Sequence, residues 1–317
     1  MNNLLLQIKN LQLINESNRE FILDNISFSV ERQKITGIVG ESGSGKSMTA
    51  LSLLRLLPHK LKIQSGQGIF CPESTETDLF KVDDKQMMNI RGRQISMIFQ
   101  EPMTSLNPTM RCGLQIAESL RFHFGDEEKK SKPRILDLFH QTDLPEPERI
   151  YSSYPHQLSG GQRQRVMIAM ALATNPSLLI ADEPTTALDV SVQKSIIDLL
   201  QKLQEEHKLT VIFISHDLRL LGEIADNIVV MRNGRIVETG SKNSLFHNPV
   251  EAYTRGLLEC QPPLNHKPSR LLTVEDFENS PGKKNLIIDT STEKKEPKVK
   301  EQEVLLTIQD LSVIYPG

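Results

Sequence analysis

The chain has 317 residues, with 37 lysines and arginines against 40 aspartates and glutamates, for a net charge of −3. That balance gives no global electrostatic case for a nucleic-acid partner. No stretch approaches the ~18 apolar residues of a membrane helix, and Met1-Asn-Asn-Leu-Leu-Leu-Gln-Ile-Lys is too short and too poor in charge for a signal peptide. Cys71, Cys112 and Cys260 show no metal or disulfide spacing. The expected location is the cytosol, with any membrane association made through a partner.

Two strands are predicted first, over 4–13 and 21–30. In the second, Ile26, Phe28 and Val30 alternate with Ser27 and Ser29, the pattern of a half-buried strand. Lys34 to Val39 reads as a buried strand and Met48 to Leu57 as an apolar helix. Between them, Gly40-Glu-Ser-Gly-Ser-Gly-Lys-Ser47 fits G-x-x-x-x-G-K-[ST]. Gly40, Gly43 and Gly45 let the backbone turn its N–H groups inward, and the helix N-terminus adds a field that favours phosphate. Glu41, Ser42 and Ser44 complete the loop. Lys46 is placed for the β- and γ-phosphates of ATP and the Ser47 hydroxyl for Mg²⁺. A flexible Gly/Ser turn is the alternative; the strand–loop–helix context argues against it.

Residues 62–99 read as irregular β structure ending in a strand, Ile95 to Phe99, with Gln100 beyond it. Residues 109–175 read as helix-rich, interrupted by Pro133, Pro145, Pro147 and Pro155. Within them, Leu158-Ser-Gly-Gly-Gln162 precedes an apolar run, so Ser159, Gly160, Gly161 and Gln162 open a helix. That is either a second anion site or simple capping by Ser159. Leu178-Leu-Ile-Ala is a short buried strand that delivers Asp182 and Glu183 to a sheet edge where ligands bind. Asp182 suits Mg²⁺ and Glu183 a general base; on their own the pair could equally cap a helix. Val211 to Ser215 is a further strand, ending at His216. Asn233-Gly234 reads as a hairpin turn between 228–232 and 235–238.

Composition changes after about residue 270. Seven of the thirteen residues from Thr290 to Gln302 are charged, and 271–302 reads as a flexible linker. Val304 to Tyr315 then mirrors Leu4 to Asn15 at an offset of 300 positions. Leu305, Leu306, Ile308, Leu311 and Ile314 are identical to their counterparts. This reads as an internal repeat, the start of a second domain over 303–317.

The ordered set of motifs resembles the ATP-binding-cassette (ABC) ATPases. The resemblance implies an α/β P-loop NTPase with a mixed core sheet, an antiparallel β subdomain and an inserted α-helical subdomain (about 101–175), all within 1–270. Gln100 is similar to the family's Q-loop glutamine, which senses Mg²⁺ and the attacking water. Thr186-Ala-Leu-Asp189 is similar to its D-loop, and His216 to its switch histidine. Ser159, Gly160 and Gly161 would then serve a nucleotide held by a second ABC domain, in cis or in trans, and Gln162 and Asp189 are expected among the nucleotide-binding residues. A single isolated domain should bind ATP but hydrolyse it poorly. Where the family places an aromatic residue on adenine this chain has Asn15; either Phe21 substitutes after a loop shift or adenine is held more weakly.

Three longer stretches, Gln100 to Pro108, Tyr154 to Arg165 and Phe246 to Leu258, resemble the ATP-binding subunit of oligopeptide/dipeptide/nickel importers, with an importer-type extension over about 241–270. The resemblance implies transmembrane permease subunits as partners, an external substrate-binding protein acting indirectly, and a place on the inner face of the membrane. With only Cys260 after the tail, no iron–sulfur cluster is expected. A soluble double-ABC ATPase on ribosomes and an exporter ATPase are the alternatives.

Overall fold

The structure is a computed structural model that describes residues 3–73, 75–100, 105–186, 188–260, 273, 276–277 and 306–312. In chain order its elements are β1 (Leu4–Asn15), β2 (Phe21–Glu31), β3 (Ile35–Val39), α1 (Lys46–Leu53), β4 (Leu61–Phe70), β5 (Thr77–Asp78), α2 (Asp84–Ile90) and β6 (Ile95–Ile98). Four helices follow: α3 (Cys112–Phe124), α4 (Glu128–Gln141), α5 (Pro147–Ser152) and α6 (Gly160–Leu172). The chain then returns to alternation with β7 (Leu178–Asp182), α7 (Val190–His207), β8 (Thr210–Ser215), α8 (Leu218–Ile224), β9 (Asn227–Arg232) and β10 (Arg235–Ser241). Two tail helices close it, α9 (Lys242–His247) and α10 (Ala252–Glu259).

Among the described residues two sheets form. The antiparallel one has the order β2-β1-β4-β5; the mixed one has the order β10-β9-β3-β8-β7-β6. In the mixed sheet β9, β3, β8, β7 and β6 run parallel, and only β10 is reversed, as the second arm of a hairpin. β3, β7 and β8 are buried at every position, as parallel strands covered on both faces must be. Their side chains alternate between two cores. Val39, Leu179, Ala181, Val211 and Phe213 join the helices on one face. Ile38, Leu178, Ile180, Ile212 and Ile214 pack beneath the antiparallel sheet on the other.

Register decides where the strands stop. Val39 lies opposite Ser215, Ile214 opposite Asp182, and Ala181 opposite Ile98. The C-terminal ends of β3, β8, β7 and β6 therefore finish along one edge, the place where open α/β sheets bind ligands.

Two elements differ from the sequence expectation. The irregular β stretch contains a helix, α2. Asp83 caps it by accepting the Gln86 N–H at 2.7 Å, and Met87 and Ile90 seal its buried face. α1 starts earlier than expected and stops at Leu53. Arg91 explains the stop: its guanidinium donates to the carbonyls of Leu54 (2.6 Å) and Arg55 (3.0 Å), so the helix end is satisfied without another turn.

Among the described residues no helix is long and apolar enough to cross a membrane. The linker expected over 271–302 falls almost wholly outside the described residues, as do 261–270. Of the repeat, 306–312 are described. They form no strand, and Leu306, Ile308 and Leu311 are 75%, 63% and 71% exposed, where Leu6, Ile8 and Leu11 are buried. One backbone detail is shared: Asn10 and Asp310, equivalent in the repeat, both take left-handed conformations, φ 49° and 52°.

Candidate functional site

The phosphate-loop motif leaves β3 and enters α1. Gly40 sits where a Cβ would lie 2.1 Å from the Met231 carbonyl oxygen, so only glycine fits. Gly45 caps α1 at φ 101°, a left-handed conformation that side chains disfavour. Lys46, 5% exposed, folds back over the loop and donates to the carbonyls of Gly40 (2.8 Å) and Glu41 (2.9 Å). Burial lowers its pKa, against the attraction of Glu183, Asp182 and Glu41. Among the described residues the Ser44 hydroxyl is buried without a hydrogen-bond partner, an orphan polar atom inside the loop.

β7 delivers the two carboxylates. Asp182, 4% exposed, accepts the Ser47 hydroxyl at 3.0 Å. Burial pushes its carboxyl pKa up, the Ser47 hydrogen bond pulls it down and Glu183 adds to the rise. Glu183 is left-handed, φ 46°, a backbone state that for a non-glycine residue costs about 1–3 kcal/mol and concentrates at functional sites. Three side chains meet its Oε2: the Gln100 amide donates at 3.3 Å, the Thr186 hydroxyl donates at 3.0 Å, and His216 Nδ1 lies at 3.3 Å. Gln100 arrives from the end of β6 and His216 from the end of β8, so strand register assembles the cluster.

The remaining predicted residues lie elsewhere. Ser159 caps α6, its hydroxyl accepting the Gln162 N–H at 3.3 Å while Gln162 Oε1 accepts the Ser159 N–H at 3.0 Å. A Cβ on Gly161 would meet Val192 at 2.9 Å, so α6 begins against the first turn of α7. There Asp189 accepts from the Ser191 hydroxyl (2.6 Å) and the Val192 N–H (2.9 Å), and the Ser191 bond leads the lowering of its pKa. Among the described residues no hydrogen bond joins this group to the phosphate loop, and Ser159, Gly160 and Asp189 are solvent-facing or partly so. Asn15 accepts the Ser17 N–H at 2.9 Å inside a tight turn. Phe21 is 47% exposed on β2, two residues before Leu23, whose side chain reaches Gly45.

Sequence reasoning did not single out three contacts. Thr186 completes the set around Glu183; its signal was its place three residues after the carboxylate. The Gly234 N–H donates to the Ser44 carbonyl at 3.1 Å, and the Tyr253 hydroxyl accepts the Glu41 N–H at 3.2 Å. Nothing in the local sequence pattern points to the last two, because both depend on how distant segments pack. Chemically, Ser47 and Asp182 offer hard oxygen donors, and among the described residues no group of three or more His, Cys, Asp or Glu forms a metal cage. That donor set suits a dication that keeps water and ligand oxygens, as magnesium does.

The family model for ABC transporter matches residues 23–186. Glutathione import ATP-binding protein GsiA of Salmonella typhimurium is 47% identical over 262 residues, covering 80% of this chain and 41% of the relative. Dipeptide transport ATP-binding protein DppD of Escherichia coli is 44% identical over 252 residues, covering 80% of this chain and 76% of the relative. The dimeric post-hydrolysis state of the ATP-binding cassette MJ0796 bound to ADP and Pi superposes with a TM-score of 0.64 at 29% identity, covering 75% of this chain and 98% of that one. The chain spans about two fifths of the length of the glutathione import relatives it matches.

Proposed function

The chain belongs to the ABC transporter family, and on that premise we propose that it is the ATP-binding and hydrolysing subunit that energises a bacterial importer of peptides or related small solutes. The observation that carries the reading is the meeting of Gln100, Thr186 and His216 on Glu183, beside the Ser47–Asp182 pair.

ATP binds with its phosphates in the turn of Gly40 to Ser47, and Lys46 leaves the loop carbonyls for the β- and γ-phosphates. The buried Ser44 hydroxyl and the N-terminus of α1 fit that ligand. Mg²⁺ would be held by Ser47, Asp182 and Gln100, where it supplies charge neutralisation between phosphate oxygens. Glu183 accepts the proton of the attacking water, Gln100 positions that water, and His216 reaches the γ-phosphate. Phe21 takes the adenine face in place of Asn15.

A second cassette completes the site. Ser159, Gly160, Gly161, Gln162 and Asp189 stand apart from this chain's own loop, so they serve a nucleotide held by the partner domain. The dimeric cassette with ADP and Pi supports this arrangement. The repeat over 304–315, with its matching left-handed Asn10 and Asp310, supports a second domain in the same protein. Permease subunits would dock beside Gln100. Here an open cavity of about 530 Å³ is lined by Met97, Phe99, Ser105, Ser119, Met167 and Met170. That docking places the subunit on the inner face of the membrane. Kinship with glutathione and dipeptide ATP-binding proteins supports small peptides as cargo.

The test is a pull-down of the Glu183→Gln protein from its native cell extract with ATP present. Recovery of a multi-spanning permease is the expected outcome. Ribosomal proteins without a permease would overturn the transport reading.

A further inference from the structure

Tyr253 stands outside the motif series, on α10 of the tail, yet it is 3% exposed and its hydroxyl reaches the phosphate loop. The residue it reaches is the pivot of that loop. Glu41 uses its carbonyl to accept both the Ser44 N–H (3.1 Å) and the Lys46 ammonium (2.9 Å), and gives its own N–H to Tyr253 at 3.2 Å. When Lys46 turns to phosphate, the carbonyls of Gly40 and Glu41 lose their lysine contacts. The Tyr253 bond on Glu41, and the Gly234 bond on Ser44, do not depend on Lys46 and remain to fix the turn.

The tyrosine is itself held firmly. The Arg232 guanidinium lies 4.8 Å from its ring centroid, a cation–π contact. Burial raises the phenol pKa further above its ordinary value, so the hydroxyl stays neutral at physiological pH. The start of α10 is pinned by Glu238, whose carboxylate accepts the N–H groups of Val250 (2.9 Å) and Glu251 (3.1 Å). Farther along, Arg219 donates to the Leu258 carbonyl at 3.2 Å. A phenylalanine at 253 would fill the same volume and keep the Arg232 contact. The oxygen atom is what the phosphate loop reads.

We propose that Tyr253 is a positioning residue for the phosphate loop, through which the tail helix sets the affinity for ATP. The proposal rests on the reading of Gly40 to Ser47 as the ATP site. Pre-set loop geometry lowers the ordering cost of binding. The tail thereby joins a segment outside the motif series to nucleotide occupancy, and a partner that shifts α10 would change ATP affinity without touching the site.

The experiment titrates the full chain with MgATP, for the unaltered protein and for Tyr253→Phe, Glu238→Ala and the double variant, alongside steady-state hydrolysis and thermal unfolding without nucleotide. Tyr253→Phe should weaken ATP binding about threefold to tenfold, the scale of one hydrogen bond. KM for ATP should rise while kcat stays within about twofold, and the nucleotide-free midpoint should move by less than about 4 °C. Glu238→Ala should act in the same direction, and the double variant should be no weaker than the worse single variant. Unchanged affinity in Tyr253→Phe, with the unaltered chain binding ATP normally, overturns this proposal alone. Additive losses in the double variant overturn the route through the tail. Failure of the unaltered chain to bind ATP overturns the ATP-site reading together with it.

Discussion

Ser47 and Asp182 are 135 residues apart in the chain, yet the serine hydroxyl donates to the aspartate Oδ1 across 3.0 Å. The pair closes the gap between α1 and β7 with two hard oxygen ligands and leaves a buried carboxylate whose proton is held more tightly in the folded state than in the unfolded chain. Asp182 therefore favours folding most below the ordinary carboxylate value of 3.8, and that contribution is lost as pH rises from there through the raised folded value. At neutral pH the nucleotide-free protein carries the full cost. Asp182→Asn should raise its unfolding midpoint by about 2–4 °C while abolishing Mg²⁺-dependent hydrolysis. A lowered midpoint would show that the charge is not a burden.

Lys46→Ala removes the buried ammonium from the loop. ATP affinity should fall about a hundredfold or more, since a charged group loses more than one strong hydrogen bond to phosphate. Isothermal titration with MgATP checks it, and an unchanged affinity would remove Lys46 from its assigned place.

Glu183→Gln keeps the shape of the side chain and a hydrogen-bond acceptor for Gln100 and Thr186 while removing the base. Hydrolysis should drop by at least about 10²-fold, with ATP still bound and a closed dimer accumulating. Size-exclusion chromatography with and without ATP reads the dimer; a turnover equal to the unaltered protein's would place the base elsewhere.

Phe21→Ala should weaken ATP binding by about 1–3 kcal/mol, the range for a base stacked on an aromatic ring. Asn15→Tyr should strengthen it on the same scale, offset by about 1 kcal/mol for the lost Ser17 turn bond. Competition titrations against labelled ATP separate the two, and no effect from Phe21→Ala would leave the adenine without this partner.

The strands that carry chemistry were legible because each is a short, mostly apolar run that stops where a motif residue begins: 34–39 before Gly40, 178–181 before Asp182, 211–215 before His216. Buried parallel strands have to read this way. Gln100, Glu183 and His216 were legible as members of one site but not as a geometry, since their meeting depends on the pairing of Ala181 with Ile98 and of Asp182 with Ile214. α2 was missed because its seven residues, Asp84 to Ile90, are too few to establish a period. Its Asp83 cap was visible only with hindsight. The contacts that Tyr253 and Gly234 make with the phosphate loop were not legible at all. A tyrosine in a tail helix and a glycine in a hairpin turn look ordinary until the tail packs against β10 and the pairing of β9 with β3 carries the hairpin to the loop.

Lys46, lastly, rests on the carbonyls of Gly40 and Glu41. A positive charge housed by its own loop does not need an external anion in order to stay folded, so the turn from Gly40 to Ser47 carries its own counterweight to the buried ammonium.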